Sequence, residues 1–209
     1  MKRDLSNHEI VAIEQFDEMA ENYEKGIWGK YFNYSNKKVF EYSIKKITID
    51  SKVLDIGCGP GQMEELVTEL AVRGEAIGLD ISNKMLLRAK EKHGKASFVF
   101  GFADNIPFPE NYFDIVYCLN SFHHYPNQVK ALKEMFRVLK KDGHLYLLDA
   151  TRDGIFRKAW TKMLNMFFEE KYVKYYSSKE MRQNIKGVGF KEVTIKKLLY
   201  FSKVFISIK

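Results

Sequence analysis

The first regularity along the chain is helical. Ile10, Ile13, Phe16, Ala20 and Tyr23 fall on one face behind Ser6 and Asn7, which predicts an amphipathic helix over residues 7–24. A second helix is predicted over 31–47. From residue 52 the pattern changes to short apolar runs of strand length: KVLDI (52–56), EAIGLD (75–80), ASFVFG (96–101), YFDIVYCL (112–119) and HLYLLDA (144–150). Amphipathic stretches separate them. One covers 62–73 and ends at Gly74, one runs from the capping residue Ser82 to about 92, and one runs from Asn127 to Gly143. Strands of this kind between helices belong to a parallel sheet covered on both faces. Ser177 and Glu180 have capping-box spacing ahead of a short helix stopping near Gly187, and 192–200 and 203–208 read as two strands joined by a tight turn. The expected fold is α/β: a doubly wound sheet of seven mostly parallel strands, with a C-terminal antiparallel hairpin and helices on both faces.

No repeat, low-complexity tract or Pro/Gly-rich linker divides the chain, so residues 1–209 read as one domain. It divides into an N-terminal helical lid (1–48), a core (49–150), a cap insertion (151–177), and a C-terminal helix and hairpin (178–209). The insertion breaks the alternation of strands and helices. Phe156, Trp160, Met163, Leu164, Phe167 and Phe168 form an apolar stripe, beside Arg157, Lys158, Lys162, Lys171 and Lys174 and three tyrosines, Tyr172, Tyr175 and Tyr176. Such a segment either packs as a cap helix on the sheet or, in addition, walls a pocket for an aromatic or isoprenoid-like acceptor.

Charge sharpens this division. Residues 1–150 carry 20 Lys/Arg against 22 Asp/Glu, whereas 151–209 carry 14 against 5. A basic segment on a near-neutral body is a solvated face, or else a surface for an anionic substrate, RNA or membrane. No apolar stretch reaches the roughly 20 residues that cross a bilayer, and MKRDLSNHEI lacks the apolar core of a signal peptide. Two cysteines, Cys58 and Cys118, make neither a disulfide framework nor a metal-spaced cluster. A cytoplasmic protein without integral membrane association is expected.

The chemistry concentrates after the first strand, in VLDIGCGPGQ (53–62). Ligands bind open α/β sheets at the carboxyl ends of strands, where strand order reverses. The dinucleotide fingerprint is G-x-G-x-x-G, with a helix aimed at pyrophosphate. Here the spacing is G-x-G-x-G, and Asp55 precedes the first glycine by two residues. A carboxylate at the loop entrance opposes a diphosphate and suits an ammonium or sulfonium. Asp80, ending the second strand, can accept both hydrogen bonds of a ribose diol.

With those residues in view, the chain resembles the class I S-adenosylmethionine-dependent methyltransferases, and within them the ubiquinone/menaquinone-biosynthesis-type (type 11) branch. VLDIGCGPGQ, GLDIS (78–82), GFADNIPFPENYFDIVYC (101–118) and LKKDGHLYLLD (139–149) carry the resemblance, with FDEMAENYEKG (16–26) as the entry segment. It implies a Rossmann-like fold with S-adenosyl-L-methionine as methyl donor and S-adenosyl-L-homocysteine as product. Gly57, Cys58 and Gly59 would line the methionine half, with Asp55 toward its amino group. Asp80 would hold the ribose, and Ile81 and Met85 would pack on adenine, bordered by Ala103 and Asp104. Leu119 and Asn120 would lie under the methionine, and Tyr23 would close over it. One position departs from the family pattern G-D-A-x-x-L-P-F: Phe102 stands where an aspartate usually accepts the adenine amino proton, so that Asp104 or a backbone carbonyl must accept it instead.

A sulfonium donor is already activated, so the protein chiefly aligns and dries the reaction, and a base is needed only where the nucleophile loses a proton. In NSFHHYP (120–126), His123 and His124 are candidates for that base or for framing the pocket, with Asp149 near. No metal is expected: adjacent histidines are awkward to aim at one ion, and His8, His93 and His144 are scattered. The expected activity is methyl transfer to a small apolar or aromatic acceptor. A tRNA or RNA methyltransferase using the basic C-terminal segment, a non-catalytic cofactor-binding module, and a nicotinamide-dependent reductase stand as alternatives. Nucleic-acid amine methylation favours Asn/Asp-Pro-Pro-aromatic after the fourth strand, whereas this chain has Asn120-Ser121-Phe122-His123.

Overall fold

The computed structural model describes residues 4–153, 173–199 and 201–209. Two helices, α1 (Asn7–Met19) and α2 (Gly26–Ser43), precede the alternating core. The core is β1 (Lys52–Ile56), α3 (Gln62–Leu70), β2 (Glu75–Asp80), α4 (Asn83–Lys92), β3 (Ser97–Phe100), β4 (Phe113–Leu119), α5 (Gln128–Val138) and β5 (Leu139–Ala150). A last helix, α6 (Ser178–Gly187), leads to β6 (Val193–Lys197) and β7 (Ser202–Ile208). The seven strands form one sheet in the order β3-β2-β1-β4-β5-β7-β6. Strands β1 to β5 pair in parallel, and β7 runs antiparallel to both neighbours.

The apolar strand runs are buried because both sheet faces are covered. In β1, Val53, Leu54 and Ile56 are at most 2% exposed, with Leu54 opposite Ile77 and Val116. One face packs Leu54, Ile56, Phe113, Val116 and Leu147 against Leu132 and Met135 of α5 and Ile185 of α6. The other packs Val53, Ile115, Tyr117 and Leu148 against Val39 of α2 and Val67 of α3. Caps fix the helix starts. Ser82 Oγ accepts from Met85 N at 3.1 Å, and Asn127 Oδ1 from Lys130 N at 3.0 Å. Ser6/Glu9 and Ser177/Glu180 both close reciprocal capping boxes.

Five helix boundaries differ from the sequence expectation. Helix α1 stops at Met19 rather than 24, because the chain must turn before α2, which begins at Gly26 (φ 67°) rather than 31 and ends at Ser43 ahead of a short 3₁₀ turn. Helix α3 ends at Leu70, three residues short of Arg73. The largest difference is at α5, which ends at Val138 instead of Gly143. Leu139 already pairs with Phe113, and His144 pairs with Ile115, so residues 140–143 bulge opposite Asp114, whose carboxylate takes Lys140 Nζ at 2.8 Å. Asp142 occupies the left-handed region there (φ 61°). The apolar stripe from Phe156 to Phe168, with Arg157, Lys158, Lys162, Lys171 and Tyr172, lies outside the described residues.

Candidate functional site

Strand order reverses between β1 and β4, and the site is built at their carboxyl ends. After β1 the chain enters a loop in which Gly57, Gly59 and Gly61 all have positive φ (73°, 52° and 86°). Gly57 N and Cys58 N both donate to Leu79 O, which pins the loop to β2. A side chain at Gly57 would put its Cβ 2.6 Å from Ser121, and one at Gly61 would meet His93 at 2.8 Å and Phe98 at 2.9 Å. The glycines therefore answer both a backbone conformation and a lack of space.

Two predicted acids flank this loop with different surroundings. Asp80 is held on both oxygens: Gly59 N donates to Oδ2 at 2.9 Å and Ser82 N to Oδ1 at 2.8 Å, which leaves each oxygen further acceptor capacity. Burial raises its pKa, and those backbone donors offset the rise. Asp55 is 5% exposed, and its Oδ1 has no hydrogen-bond partner. Burial first, then the neighbouring Asp80 charge, pushes its carboxyl up to about 7. Below the loop a third acid, Glu64 of α3, is 2% exposed with both oxygens unpartnered, and burial raises it well above the usual carboxylate range. Its Oε1 lies over Gly78, where a Cβ would come within 2.6 Å. Nothing in the sequence pattern singles Glu64 out. Burial also pushes the Cys58 thiol up, away from nucleophilic chemistry.

Three clefts open around the loop. A polar cleft of about 280 Å³ is bordered by Tyr23, Phe32, Asn36, Asp55, Gly57, Cys58, Gln62, Leu119 and Asn120. A second, of about 770 Å³, continues past Gly59, Asp80, Ile81, Met85, Phe102, Ala103 and Asp104, under Ala12 and Phe16 of α1. The cofactor-binding residues expected from sequence thus all border these two clefts. The donor set fits a ligand with an ammonium at one end and a diol at the other, because Asp55 presents an unmatched buried oxygen and Asp80 is held rigid by backbone donors. Two pyrophosphate charges would face the buried carboxyls of Asp55 and Asp80 instead. At the far end, Phe102 meets Phe100 edge-on (5.5 Å between ring centres), and Asp104 pairs with Lys130 Nζ at 3.3 Å.

The third cleft, about 1,380 Å³, is walled by Phe16, Met19, Tyr23, Trp28, Tyr31, Phe32, Tyr175 and Phe201, with His123, His124 and Asp149 at its inner end. It shares Phe16, Tyr23, Asn120 and His124 with the second cleft. Asn120, in the left-handed region (φ 55°), ties α2 to the core. Tyr31 Oη donates to its Oδ1 at 3.0 Å, and its Nδ2 donates to Ser35 Oγ at 3.2 Å. Tyr23 stacks on Phe32 with ring centres 4.7 Å apart, and burial holds its hydroxyl well above the ordinary phenol range.

The adjacent histidines have different environments. His123 Nδ1 lies 2.6 Å from Asp149 Oδ1. His124 packs its ring edge-on to Phe16, and burial, with His123 beside it, pushes its pKa well below the usual histidine value. Helix α1 is clasped over the site at both ends. His8 Nε2 meets His124 O at 2.8 Å, and Ser82 Oγ donates to Asp17 Oδ1 at 2.5 Å. Sequence reading did not find Asp17, Trp28, Tyr31, Ser35 or Phe201; their partners lie far away in the chain, and the one local signal is the aromatic density of GIWGKYFNY (26–34).

Among the described residues, no group of His, Cys, Asp and Glu could hold a metal ion, and no helix is long and apolar enough to cross a membrane.

A family model described as a methyltransferase domain matches residues 54–147. A probable methyltransferase (ltbC) of Aspergillus luteorubrus is 36% identical over 128 residues, covering 54% of this chain and 44% of its own length. A demethylmenaquinone methyltransferase of Thermotoga maritima is 29% identical over 141 residues, covering 66% of this chain and 61% of its own. The chain thus spans about half the length of the curated relatives it matches. Among solved structures, an S-adenosylmethionine-dependent methyltransferase of Thermotoga maritima, titled a possible histamine N-methyltransferase, superposes with a TM-score of 0.75 at 20% identity, covering 94% of this chain and 99% of that one. The magnesium protoporphyrin IX methyltransferase of Synechocystis, solved with bound S-adenosylhomocysteine, gives 0.74 at 16% identity, covering 96% and 99%. Residues 54–147 thus match a methyltransferase-domain model, and the chain has the seven-stranded fold of S-adenosylmethionine-dependent methyltransferases of known structure.

Proposed function

We propose that this protein transfers a methyl group from S-adenosylmethionine to a small apolar or aromatic acceptor by in-line displacement. The observation that carries the reading is the meeting of two clefts at Tyr23 and Asn120, one shaped for the donor and one walled by aromatic rings. When bound, the cofactor supplies an electrophilic methyl on a positive sulfur. In this reading Asp55 takes the ammonium, Gly57, Cys58 and Gly59 line the methionine backbone, and Leu119 and Asn120 lie beneath it. Asp80 accepts the ribose diol, Ile81 and Met85 flank adenine, and Phe102, Ala103 and Asp104 form its outer edge. Tyr23 closes the donor cleft and aligns the acceptor, while the aromatic wall keeps water from the reacting centre. Among the described residues, the acceptor cleft carries Glu18 and Asp149 against Lys25, a balance that suits a neutral molecule better than RNA. A cytoplasmic location goes with this reading.

Calorimetric titration with S-adenosylmethionine and S-adenosylhomocysteine, followed by methyl transfer to a panel of small aromatic acceptors, tests the proposal. Binding of both ligands and turnover of a panel member are expected. A folded protein that binds neither would sink it, and binding without transfer to any acceptor would favour the non-catalytic module.

A further inference from the structure

We infer that His123 and Asp149 form a general-base pair and that the acceptor is a ring-borne hydroxyl, phenolic or enolic, which gives up its proton as the methyl is transferred. This inference rests on the methyltransferase reading above.

The pair is built rather than incidental. The His123 and Asp149 side chains are 11% and 2% exposed and meet at 2.6 Å at the inner end of the acceptor cleft. Asp149 Oδ1 also accepts from Ala150 N at 2.7 Å, so the carboxylate cannot turn away. Tyr175 stacks on the imidazole with ring centres 4.7 Å apart and sets its plane. With Nδ1 committed to Asp149, proton exchange at this ring runs through Nε2, and Asp149 stabilises the imidazolium that results. Among the described residues, His124 and Tyr175 pack against the ring, and Tyr31 of α2 lines the same cleft. His124 is kept neutral by burial, and burial and the Asp149 charge push Tyr31 up to about 12. Asp149 is the carboxylate bonded to this imidazole.

Acceptor class follows from what the base is for. A carboxylate acceptor is already ionised, and a neutral amine attacks through its lone pair, so neither needs a buried base at the moment of attack. A ring hydroxyl does. Trp28, Phe32 and Phe201 offer the flat walls for such a ring, and Lys25 is the one lysine or arginine among the described residues lining the cleft. In the balanced step, the hydroxyl proton passes to His123 Nε2 and the oxygen forms a bond to the methyl carbon. The carbon–sulfur bond breaks with its electron pair on sulfur. The proton then leaves His123 for solvent. His123 is the catalytic residue and Asp149 a positioning residue acting through it.

The test needs no methyl donor. 4-Nitrophenol is titrated into the protein one pH unit below its own pKa while the phenolate absorption is followed. The phenolate-to-phenol ratio of bound probe should be about tenfold that in solution at the same pH, as a one-unit shift requires. His123→Gln and Asp149→Asn should bind it protonated, and imidazole added to His123→Ala should restore ionisation. Probe that fails to bind, binds protonated to the wild type, or ionises equally in both variants overturns the proposal. S-adenosylhomocysteine affinity, measured separately, should be unchanged in the variants; its absence from the wild type would instead sink the methyltransferase reading.

Discussion

The backbone N–H of Gly59 donates to Asp80 Oδ2 at 2.9 Å, so one carboxylate both shapes the glycine loop and lines the cleft proposed for the methyl donor. Removing it has two consequences at once. Asp80→Ala should weaken S-adenosylhomocysteine binding about 100-fold, since bonds to a charged acceptor contribute roughly 1.5–3 kcal/mol each. Calorimetry on protein shown to be folded by circular dichroism checks this. Unchanged affinity would remove Asp80 from the site.

Asp55 gives the protein a pH signature. Its folded pKa, about 7, lies above the ordinary carboxylate value, so between about pH 4 and 7 the folded chain binds more protons than the unfolded one. Stability of the ligand-free protein should therefore fall as pH rises through that window and level off above it, with Glu64 acting in the same direction. Asp153 and Glu180, held at about 2 by Lys203, Ser178, Ser177 and Arg152, act oppositely and at lower pH. An ammonium needs the ionised form of Asp55, so donor affinity should climb over the same interval. Asp55→Asn should flatten both curves; two unaltered slopes would contradict the assignment.

Gly57→Ala sets a positive φ of 73° against a Cβ that would sit 2.6 Å from Ser121. The left-handed conformation costs roughly 1–2 kcal/mol and the crowding roughly 1–3 more. Thermal melting should show the loss. Adding Ser121→Gly should recover the crowding part and leave the conformational part.

Helix α1 is fastened over the donor cleft by the Ser82–Asp17 bond. Asp17→Ala should raise the dissociation rate of S-adenosylhomocysteine about fivefold, the effect of about 1 kcal/mol, with little change in melting temperature. Stopped-flow displacement measures it. An unchanged rate would mean that α1 does not limit exit.

What could be read from sequence was what neighbours along the chain. Asp55, Gly57 and Gly59 sit within five residues, and Asp80 ends the next strand, so strand periodicity alone places them together. The mostly parallel sheet with helices on both faces also followed, since alternating strands and helices leave few alternatives. Asp17 and Ser82 are 65 positions apart, Tyr31 and Asn120 are 89, and His8 and His124 are 116. No local pattern encodes those meetings, because packing of α1 and α2 on a finished sheet creates them. The His123–Asp149 pair was half visible: Asp149 lies at the end of β5 and His123 in the 3₁₀ turn after β4, but only the register of β4 on β5 brings them to 2.6 Å. The end of α5 was misplaced for the opposite reason, since Gly143 looks like a helix stop and serves a bulge.

Phe16 and Tyr23 each border both the donor and the acceptor cleft. A displacement of α1 and the turn after it therefore unseals both at once. In the proposed reaction one gate would then serve two exchanges: spent donor and methylated product would leave in the same opening event, and a tightly held donor by-product would delay the acceptor side as well as its own.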